Sequence, residues 1–257
     1  MSVYNGMPYL KDATESILNQ TYKNVEFIIV DDASTDGSWK YLKSTNDKRI
    51  KLIRNKKNLG LASSLNKALK VARGDYIARM DADDISLPKR LDTQVRFLDK
   101  NTNIDLCGTW VNLINKEGKI VGQKRYPTSD IKIKRVLPFY NPIIHPTLMI
   151  KTDVIHNTGY YDPSYDFAED YELLVRSRKK FTMANIPKIT LKLRIGHIRR
   201  STQQMIKMDK LDLKIKIRIL KENFSAAAFI AVIKKVITVY LFPIKLKLQI
   251  AKFLNLS

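Results

Sequence analysis

Apolar residues in the first hundred positions follow two different spacings. Val25 to Val30 (VEFIIV) is a nearly continuous apolar run, which is typical of a strand buried on both faces. Tyr9 to Gln20 and Leu61 to Ala72 carry apolar residues every three or four positions, which predicts amphipathic helices. Ile50 to Ile53 and Asp75 to Met80 are typical of further strands. This alternation predicts an α/β fold with a Rossmann-like, mostly parallel central sheet flanked by helices.

The alternation weakens in the second hundred residues. Candidate strands lie at Leu106 to Leu113, Lys119 to Gln123 and His145 to Ile150, and a candidate helix runs from about Asp170 to Lys180. We therefore divide the chain into three segments. Residues 1–100 and 101–200 are predicted to form two halves of one domain, and residues 201–257 a separate tail.

The tail has an ambiguous pattern. Its apolar residues alternate with a period of two from Leu211 to Ile219, which suits a strand, but Ile206, Leu213, Ile217 and Leu220 also fit one face of a helix. We favour the helix. The longest uncharged stretches, Asn223 to Ile233 and Val236 to Ile244, are shorter than the roughly 20 apolar residues that a bilayer-spanning helix needs.

Charge is concentrated towards the end of the chain. Residues 176–257 hold 20 Lys/Arg against 3 Asp/Glu, a net charge of +17, whereas residues 1–175 have a net charge of only +4. Such a segment is expected to meet an anionic surface, either membrane lipid or nucleic acid. Phenylalanines and tyrosines beside the lysines favour a segment lying at the lipid headgroup boundary, and packing of part of the tail on the domain is the alternative.

Composition and cysteine usage are those of a globular protein from a reducing compartment. Hydrophobic residues make up 44% of the 257 residues and charged residues 28%. Cys107 is the only cysteine, so the chain has no internal disulfide and no Cys-rich zinc cluster. The start, Met1 to Gly6, lacks the basic and apolar regions of a secretory signal, so a cytoplasmic protein is expected.

Acidic residues follow two of the predicted strands. Asp31 and Asp32 follow the strand that ends at Val30, and Asp81 and Asp83 follow the strand that ends at Met80. Because Asp81 and Asp83 are two positions apart in an extended segment, both side chains can face one ligand. Paired carboxylates with phosphate oxygens complete the shell that Mg²⁺ or Mn²⁺ prefers. The alternative is that Asp84 or Ser86 only caps the following helix.

A calcium loop is a further alternative for the segment from Asp32 to Lys43. Asp32, Ser34, Asp36 and Gly37 have the spacing of such a loop, but its twelfth position holds Lys43 where a glutamate is required. An Asx-type turn or a nucleotide contact remains.

Several motifs in order carry a resemblance to a known family. They are Ser2 to Gly6 (SVYNG), Ser16 to Tyr22 (SILNQTY), Phe27 to Ser38 (FIIVDDASTDGS), Ile77 to Asp84 (IARMDADD) and Leu87 to Leu91 (LPKRL). Over residues 1–200 the chain resembles the family 2 glycosyltransferases with the A-type fold. Members normally begin with several apolar residues before the first of these motifs, so a start upstream of Met1 is expected.

The resemblance implies roles for donor-binding residues. Asp32 matches the acid that reads the nucleoside of a UDP donor, and Tyr4 and Asn5 belong to the first substrate-binding motif. Asp81 is expected to contact ribose or metal, and Asp83 to bind Mn²⁺ or Mg²⁺. Three more positions belong to the predicted site. Arg79 would approach the diphosphate or form a salt bridge, His145 would lie near the acceptor, and His197 would close over the diphosphate and join the metal ligands.

The resemblance also implies a catalytic base. Ala168 to Tyr171 (AEDY) matches the family's Glu-Asp motif, so Asp170 would take the proton of the acceptor hydroxyl and Glu169 would contact the substrate. The alternative is that Asp170 caps the following helix.

The expected function is inverting transfer of a hexose or N-acetylhexosamine from a UDP-sugar. The acceptor would be a glycan or lipid-linked molecule in bacterial surface-polysaccharide synthesis, and the enzyme would sit peripherally on the inner face of the cytoplasmic membrane.

A nucleotidyltransferase is the enzymatic alternative, but no glycine-rich loop follows Asn5 and Gly6. A nucleic-acid-binding protein is the other alternative. Its acidic clusters would repel phosphate, so no nucleic-acid partner is expected.

Overall fold

The structure is a computed structural model that describes residues 1–196 and 202–241. Its first sheet is parallel, with the strand order β1 (Ser2–Val3), β2 (Phe27–Asp31), β3 (Ile50–Arg54). All residues of β2 are buried. A central parallel strand is covered on both faces, which explains the continuous apolar run that predicted it.

The helices predicted at Tyr9 to Gln20 and Leu61 to Ala72 are confirmed with slightly shorter bounds, as α1 (Leu10–Leu18) and α3 (Leu61–Val71). The same half of the chain also contains α2 (Ser38–Ser44) and α4 (Arg90–Lys100). The buried residues of α1 recur every three or four positions, as expected for a helix with one face in the core. Gly60 precedes α3 with φ of +86°, a conformation that favours glycine.

The second sheet is mixed. Its strands are β4 (Tyr76–Ala78), β5 (Ile85–Ser86), β6 (Leu106–Ile114), β7 (Ile120–Lys124), β8 (Met149–Lys151) and β9 (Met183–Arg194). Their order is β4-β8-β6-β9-β5, and β7 pairs with the end of β6. β6 and β9 are parallel, whereas β4–β8, β6–β8, β6–β7 and β5–β9 are antiparallel. Parallel pairing therefore dominates the first sheet only.

The predicted strand at His145 to Ile150 is wrong in its first half. His145–Thr147 is a 3-10 helix, and only Met149–Lys151 forms a strand. Pro146 has no N–H group to donate to a strand neighbour, which favours the tight turn.

Further helices complete the second half of the chain. They are α5 (Asp130–Val136), α6 (Thr152–Thr158), α7 (Glu169–Ser177) and a second 3-10 helix, Pro163–Tyr165. Residues of α3, α6 and α7 share one large buried cluster with β8 and the start of β6. This cluster fixes the position of the amino end of α7, where the predicted catalytic acid lies.

The described part of the tail, residues 202–241, is largely helical, as we favoured. It forms α8 (Thr202–Glu222), α9 (Ala226–Val236) and a π-helical turn, Ile237–Leu241. Ile215 and Ile219 of α8 are buried in the same cluster as Tyr171 of α7. The first tail helix is thus part of the domain core and not separate from it. Among the described residues, no helix is long and apolar enough to cross a bilayer.

A cavity of about 680 Å³ is lined by residues from both sheets. It is lined by residues of β2, β4, α3 and α4, with Arg79 and Tyr161 among its other lining residues. The Met1 ammonium donates a hydrogen bond of 2.8 Å to the carbonyl of Ile28 at its wall. Burial, with the charge of Arg79, lowers the pKa of this ammonium to about 5.

Candidate active site

Three carboxylates meet in the loop between β4 and β5. One oxygen from each of Asp81, Asp83 and Asp84 lies within 4.8 Å of the others. Asp84 is buried, and its Oδ2 has no hydrogen-bond partner among the described residues. Burial and the charges of Asp81 and Asp83 raise the pKa of Asp84 well above its usual value. This set of oxygens fits a hard divalent cation, as the sequence predicted.

Arg194, at the end of β9, holds this loop in place. Its backbone N–H donates to Asp84 Oδ1 at 2.8 Å, and its Nε donates to the carbonyl of Asp83 at 2.9 Å. Its guanidinium lies 4.0 Å from the centre of the Tyr9 ring. In the sequence this arginine lies three positions before His197, but sequence reasoning did not assign it the positioning role.

Arg79 forms an ion pair with Asp81. The guanidinium is 4% exposed, so the salt-bridge alternative describes its observed contact. Burial alone would lower the pKa of Arg79, but the Asp81 carboxylate outweighs burial and raises it. For Asp81 the balance is opposite, because burial and Asp83 raise its pKa against the effect of Arg79. The predicted diphosphate contact of Arg79 stays a prediction.

Asp32 lies at the end of β2 and organises the neighbouring loop. Its Oδ1 accepts hydrogen bonds from Asn55 Nδ2 at 2.6 Å and the Leu59 N–H at 2.8 Å. Its Oδ2 accepts from the Gly60 N–H at 2.9 Å. The carboxylate thus fixes the start of α3 at the edge of the sheet. A contact to the nucleoside would add to these bonds, and it stays a prediction.

Tyr4 and Asn5 lie in the loop after β1, which is bonded to the loop after β2. Asn5 donates its N–H to Ser34 Oγ at 3.0 Å, and its Oδ1 accepts from the Thr35 N–H at 2.8 Å. Tyr4 is 52% exposed, so its ring is accessible to a ligand. The structure therefore brings this motif to the same sheet edge as Asp32.

Asp36 forms the Asx-type turn that was one alternative for the calcium-like segment, and the nucleotide contact stays a prediction. Its Oδ1 accepts from the Ser38 N–H at 3.0 Å, two residues on, which is the Asx-type arrangement. Its Oδ2 accepts from the Met7 N–H at 2.9 Å. Although burial opposes the change, these hydrogen bonds lower the pKa of Asp36.

The Glu-Asp motif lies at the amino end of α7. Asp170 Oδ2 accepts from Asn141 Nδ2 at 2.8 Å, and its Oδ1 accepts from the Tyr171 N–H at 2.7 Å. Ala168 occupies the cap position, and Asp170 lies in the first turn of α7, where its carboxylate binds the Tyr171 N–H of that turn. Burial raises the pKa of Asp170 against the effects of these hydrogen bonds and Arg79. Asn141 lies four positions before His145 in the sequence, and its bond to Asp170 was not foreseen.

Glu169 is more deeply buried than Asp170. Its side chain is 4% exposed, and Oε2 has no hydrogen-bond partner among the described residues. Burial and then the charge of Asp170 raise the pKa of Glu169 to about 7. This carboxyl therefore gains or loses its proton near neutral pH.

His145 begins the first 3-10 helix and contacts Tyr161. Its Nε2 is 2.9 Å from the hydroxyl of Tyr161. Burial and the charge of Arg79 lower the pKa of His145 well below its usual value, so the imidazole is neutral at pH 7. His197, the remaining predicted site residue, lies outside the described residues.

The acidic loop and the Glu-Asp motif share one electrostatic environment. The charge of Arg79 acts on Asp81 and Asp84 of the loop and on Glu169 and Asp170 of the motif. These acids are about ninety positions apart in the sequence. The fold therefore combines a candidate cation site with a candidate base.

Comparison with known proteins identifies the family. Residues 1–159 match the sequence profile of Glycosyl transferase family 2. Over 182 residues, the chain is 36% identical to the O-antigen biosynthesis glycosyltransferase WbnJ of Escherichia coli, covering 68% of this chain and 69% of WbnJ. The chain belongs to glycosyl transferase family 2. It spans 58–63% of the length of the first curated relatives that it matches.

Solved structures confirm that this family 2 chain has the A-type glycosyltransferase fold. S. aureus TarS 1-349 in complex with UDP-GlcNAc superposes with a TM-score of 0.70 at 18% identity, covering 92% of this chain and 71% of that one. The mannosyltransferase PcManGT of Pyrobaculum calidifontis, in complex with GDP-Man and Mn²⁺, superposes with a TM-score of 0.64 at 18% identity. That match covers 93% of this chain and 68% of the mannosyltransferase.

Proposed function

We propose that this chain transfers a hexose or N-acetylhexosamine from a UDP-sugar, with inversion, to a hydroxyl of a glycan or lipid-linked acceptor. The observation that carries the proposal is the group of Asp81, Asp83 and Asp84 oxygens within 4.8 Å of one another, in a chain of glycosyl transferase family 2. A role in cell-surface polysaccharide synthesis draws on the O-antigen relative WbnJ. The UDP-GlcNAc complex of TarS supports the choice of donor class.

A divalent cation, Mn²⁺ or Mg²⁺, is the proposed cofactor. Asp83 and Asp81 would hold it, with Asp84 supplying the unpartnered Oδ2. A bound cation would neutralise charge on the diphosphate leaving group. The Mn²⁺ in the PcManGT complex supports this choice.

Asp170 is the proposed base. Asn141 and the Tyr171 N–H hold both of its oxygens, so the carboxylate has a fixed orientation. The acceptor hydroxyl would give its proton to Asp170 while its oxygen attacks the anomeric carbon, and the bond from that carbon to the diphosphate oxygen would break. Glu169 would contact hydroxyls of the sugar, with the unpartnered Oε2 available as donor or acceptor.

The UDP-sugar donor would bind at the edge of the first sheet. Asp32 with Tyr4 and Asn5 would line the nucleoside end, since parallel sheets bind ligands beyond the carboxyl ends of their strands. Arg79 would act on the diphosphate through its charge, and His145 would lie on the acceptor side as a neutral hydrogen-bonding group.

Two substitutions separate donor binding from transfer. Asp83→Ala is expected to abolish Mn²⁺-dependent binding of UDP, measured by calorimetry. Asp170→Asn is expected to keep UDP binding and to lower sugar transfer at least about 100-fold, since general base catalysis contributes roughly 10²–10⁴-fold. Transfer is measured with a panel of UDP-sugars and purified cell-surface acceptors.

The matched control is Asp153→Asn, which changes an exposed acid in the first turn of α6. It should change neither quantity. An Asp170→Asn enzyme with undiminished transfer would remove Asp170 as the base. Folded wild-type protein that binds no nucleoside diphosphate, with or without the metal, would refute the enzyme assignment, including its nucleotidyltransferase alternative.

A further inference from the structure

An exposed apolar stripe runs along the second tail helix. Its members are Phe224, Phe229, Ile230, Ile233, Ile237 and Tyr240. Phe229, Ile233, Ile237 and Tyr240 recur at intervals of three or four residues, and Ile230 lies three residues before Ile233, so they share one side of α9 and the turn that follows it. Ala228 and Ala231, the buried residues of α9, lie on the other side. The exposed fractions reach 77% at Phe224 and 67% at Tyr240, which is unusual for a purely structural helix.

An exposed lysine face runs along the first tail helix. Lys207, Lys210, Lys214 and Lys221 are exposed and recur at helical spacing on α8. Ile215 and Ile219, on another side of α8, enter the domain core. The four lysines lie away from these two residues, and Lys207 and Lys214 also contact Asp166 and the ring of Tyr165.

Ion pairs hold the two helices against each other and against the domain. Lys235 of α9 pairs with Asp209 and Asp212 of α8 at 2.8 and 2.7 Å. Arg218 of α8 pairs with Glu172 of α7 at 2.9 Å. The apolar stripe and the lysine face are thus parts of one fixed helical hairpin.

The lysine face begins beside the candidate active site. Lys207 pairs with Asp166 at 3.2 Å and lies 5.3 Å from the centre of the Phe167 ring. Asp166 is close enough to Glu169 to contribute to its raised pKa. A surface bound by this face would therefore lie next to the Glu-Asp motif.

The chemistry of the two faces selects among possible partners. Nucleic acid would use the lysines but would leave the aliphatic and aromatic stripe in water. A second copy of the chain would bring two strongly basic tails together, which like-charge repulsion opposes. A membrane surface with anionic headgroups uses both faces, since lysines bind the headgroups while apolar side chains enter the boundary with the acyl chains.

We propose that the α8–α9 hairpin binds the surface of an anionic lipid bilayer. The stripe on α9 lies in the headgroup boundary, and the lysines of α8 contact the anionic headgroups. Binding orients the Glu-Asp motif towards the membrane, a consequence that rests on the proposed function and suits a lipid-linked acceptor. Lipid binding itself involves no turnover, so its failure and failure of the proposed function are separate results.

The test uses the full chain and sedimentation with vesicles. We expect binding to vesicles containing 30 mol% phosphatidylglycerol, weak binding to pure phosphatidylcholine, and loss of binding in high salt because salt screens the lysines. Lys210→Gln with Lys221→Gln should lower the partition coefficient roughly 30-fold, since each lysine near such a surface contributes about a factor of five. Phe229→Ser with Ile233→Ser should lower it more than tenfold.

Matched controls change equivalent residues elsewhere on the surface. Ile120→Ser with Val121→Ser alters exposed apolar residues of β7, and Lys100→Gln alters an exposed lysine of α4. Both should bind vesicles as the unaltered protein does, and circular dichroism should be unchanged for every variant. The proposal is overturned if the full chain does not sediment with anionic vesicles, or if either tail double variant binds as tightly as the controls. Binding to duplex DNA without binding to vesicles would also overturn it, in favour of a nucleic-acid partner.

Discussion

At the scale of single residues, the candidate site is a set of carboxylates with different surroundings. Asp81 is paired with a buried guanidinium, Asp170 accepts two hydrogen bonds, and Glu169 has one oxygen without a partner. Burial without compensating bonds favours the neutral form of an acid. Glu169 is therefore the acid whose charge should depend most on pH near neutrality.

Glu169→Gln provides a test of this difference. Because the pKa of Glu169 is about 7 in the folded protein and its usual value is 4.5, the folded state binds more protons than the unfolded state between these values. Glu169 therefore lowers stability as pH rises from about 4.5 to 7. A neutral glutamine removes this loss, so the variant should be more stable than the wild type at pH 8 by about 1–3 kcal/mol. At pH 4.5 this advantage should disappear.

Urea unfolding at pH 4.5 and pH 8 measures the effect. Glu117→Gln is the control, since Glu117 is an exposed residue of the turn between β6 and β7. Its stability relative to the wild type should be the same at both pH values. Equal pH dependence of the Glu169→Gln and Glu117→Gln proteins would show that Glu169 ionises in its usual range.

At the scale of elements, sequence patterns located the first sheet well and β9 poorly. β2 was predictable because a buried parallel strand is a run of apolar residues. No strand was assigned at Met183–Arg194, where Pro187 interrupts the pattern. The structure accommodates it in a bulge, because Thr109 pairs with Ile186 and Trp110 with Ile189, leaving Pro187 and Lys188 unpaired. Proline cannot donate to the ladder, so only the three-dimensional pairing makes this strand evident.

β6 carries a glycine where the packing leaves no room for a side chain. A Cβ added at Gly108 would lie against Asn185 Oδ1 and 2.8 Å from Ile143 Cγ2. Asn185 in turn donates 2.9 Å to the carbonyl of Pro142, next to the Asn141 that holds Asp170. β6 is therefore linked to the candidate base Asp170 through Asn185 and the Asn141–Pro142 segment.

Gly108→Ala should destabilise the protein by about 1–3 kcal/mol, the usual cost of overpacking a core. It should also lower sugar transfer, because displacement of Asn185 disturbs the segment that orients Asp170. Denaturant unfolding and the transfer assay measure the two effects. Gly122→Ala on β7 is the control, since its added Cβ would make ordinary contact with Leu113 at 3.6 Å. If both variants behave alike, the close approach at Gly108 has no functional consequence.

At the scale of the whole molecule, the tail differs most from the sequence-based division. Residues from 201 onward were predicted as a separate segment, and their period-two alternation left strand and helix open. In the structure, Ile215 and Ile219 enter the core while Ile217, between them, is 36% exposed. The alternating apolar residues thus lie on two different faces of one helix, one buried and one exposed, and do not indicate a strand. Which of these faces is buried depends on α7, whose position the local sequence does not encode.

Ile219→Ala tests whether α8 is part of the cooperative fold of the domain. Ile219 is 4% exposed and shares its cluster with Tyr171, which follows the candidate base. Removing its buried methyl and methylene groups should lower the free energy of unfolding by about 2–4 kcal/mol. Ile217→Ala on the same helix should change it by less than about 0.5 kcal/mol, as for most exposed positions.

Urea unfolding followed by circular dichroism and by tryptophan fluorescence distinguishes a cooperative tail from an appended one. Trp39 and Trp110 lie in the first 200 residues, so fluorescence reports on the domain and not on the tail. If α8 belongs to the domain core, Ile219→Ala shifts both transitions equally, because the tail and the sheet unfold together. A fluorescence transition left unshifted would mean that the tail helix melts by itself. The hairpin would then not have a fixed orientation relative to the Glu-Asp motif.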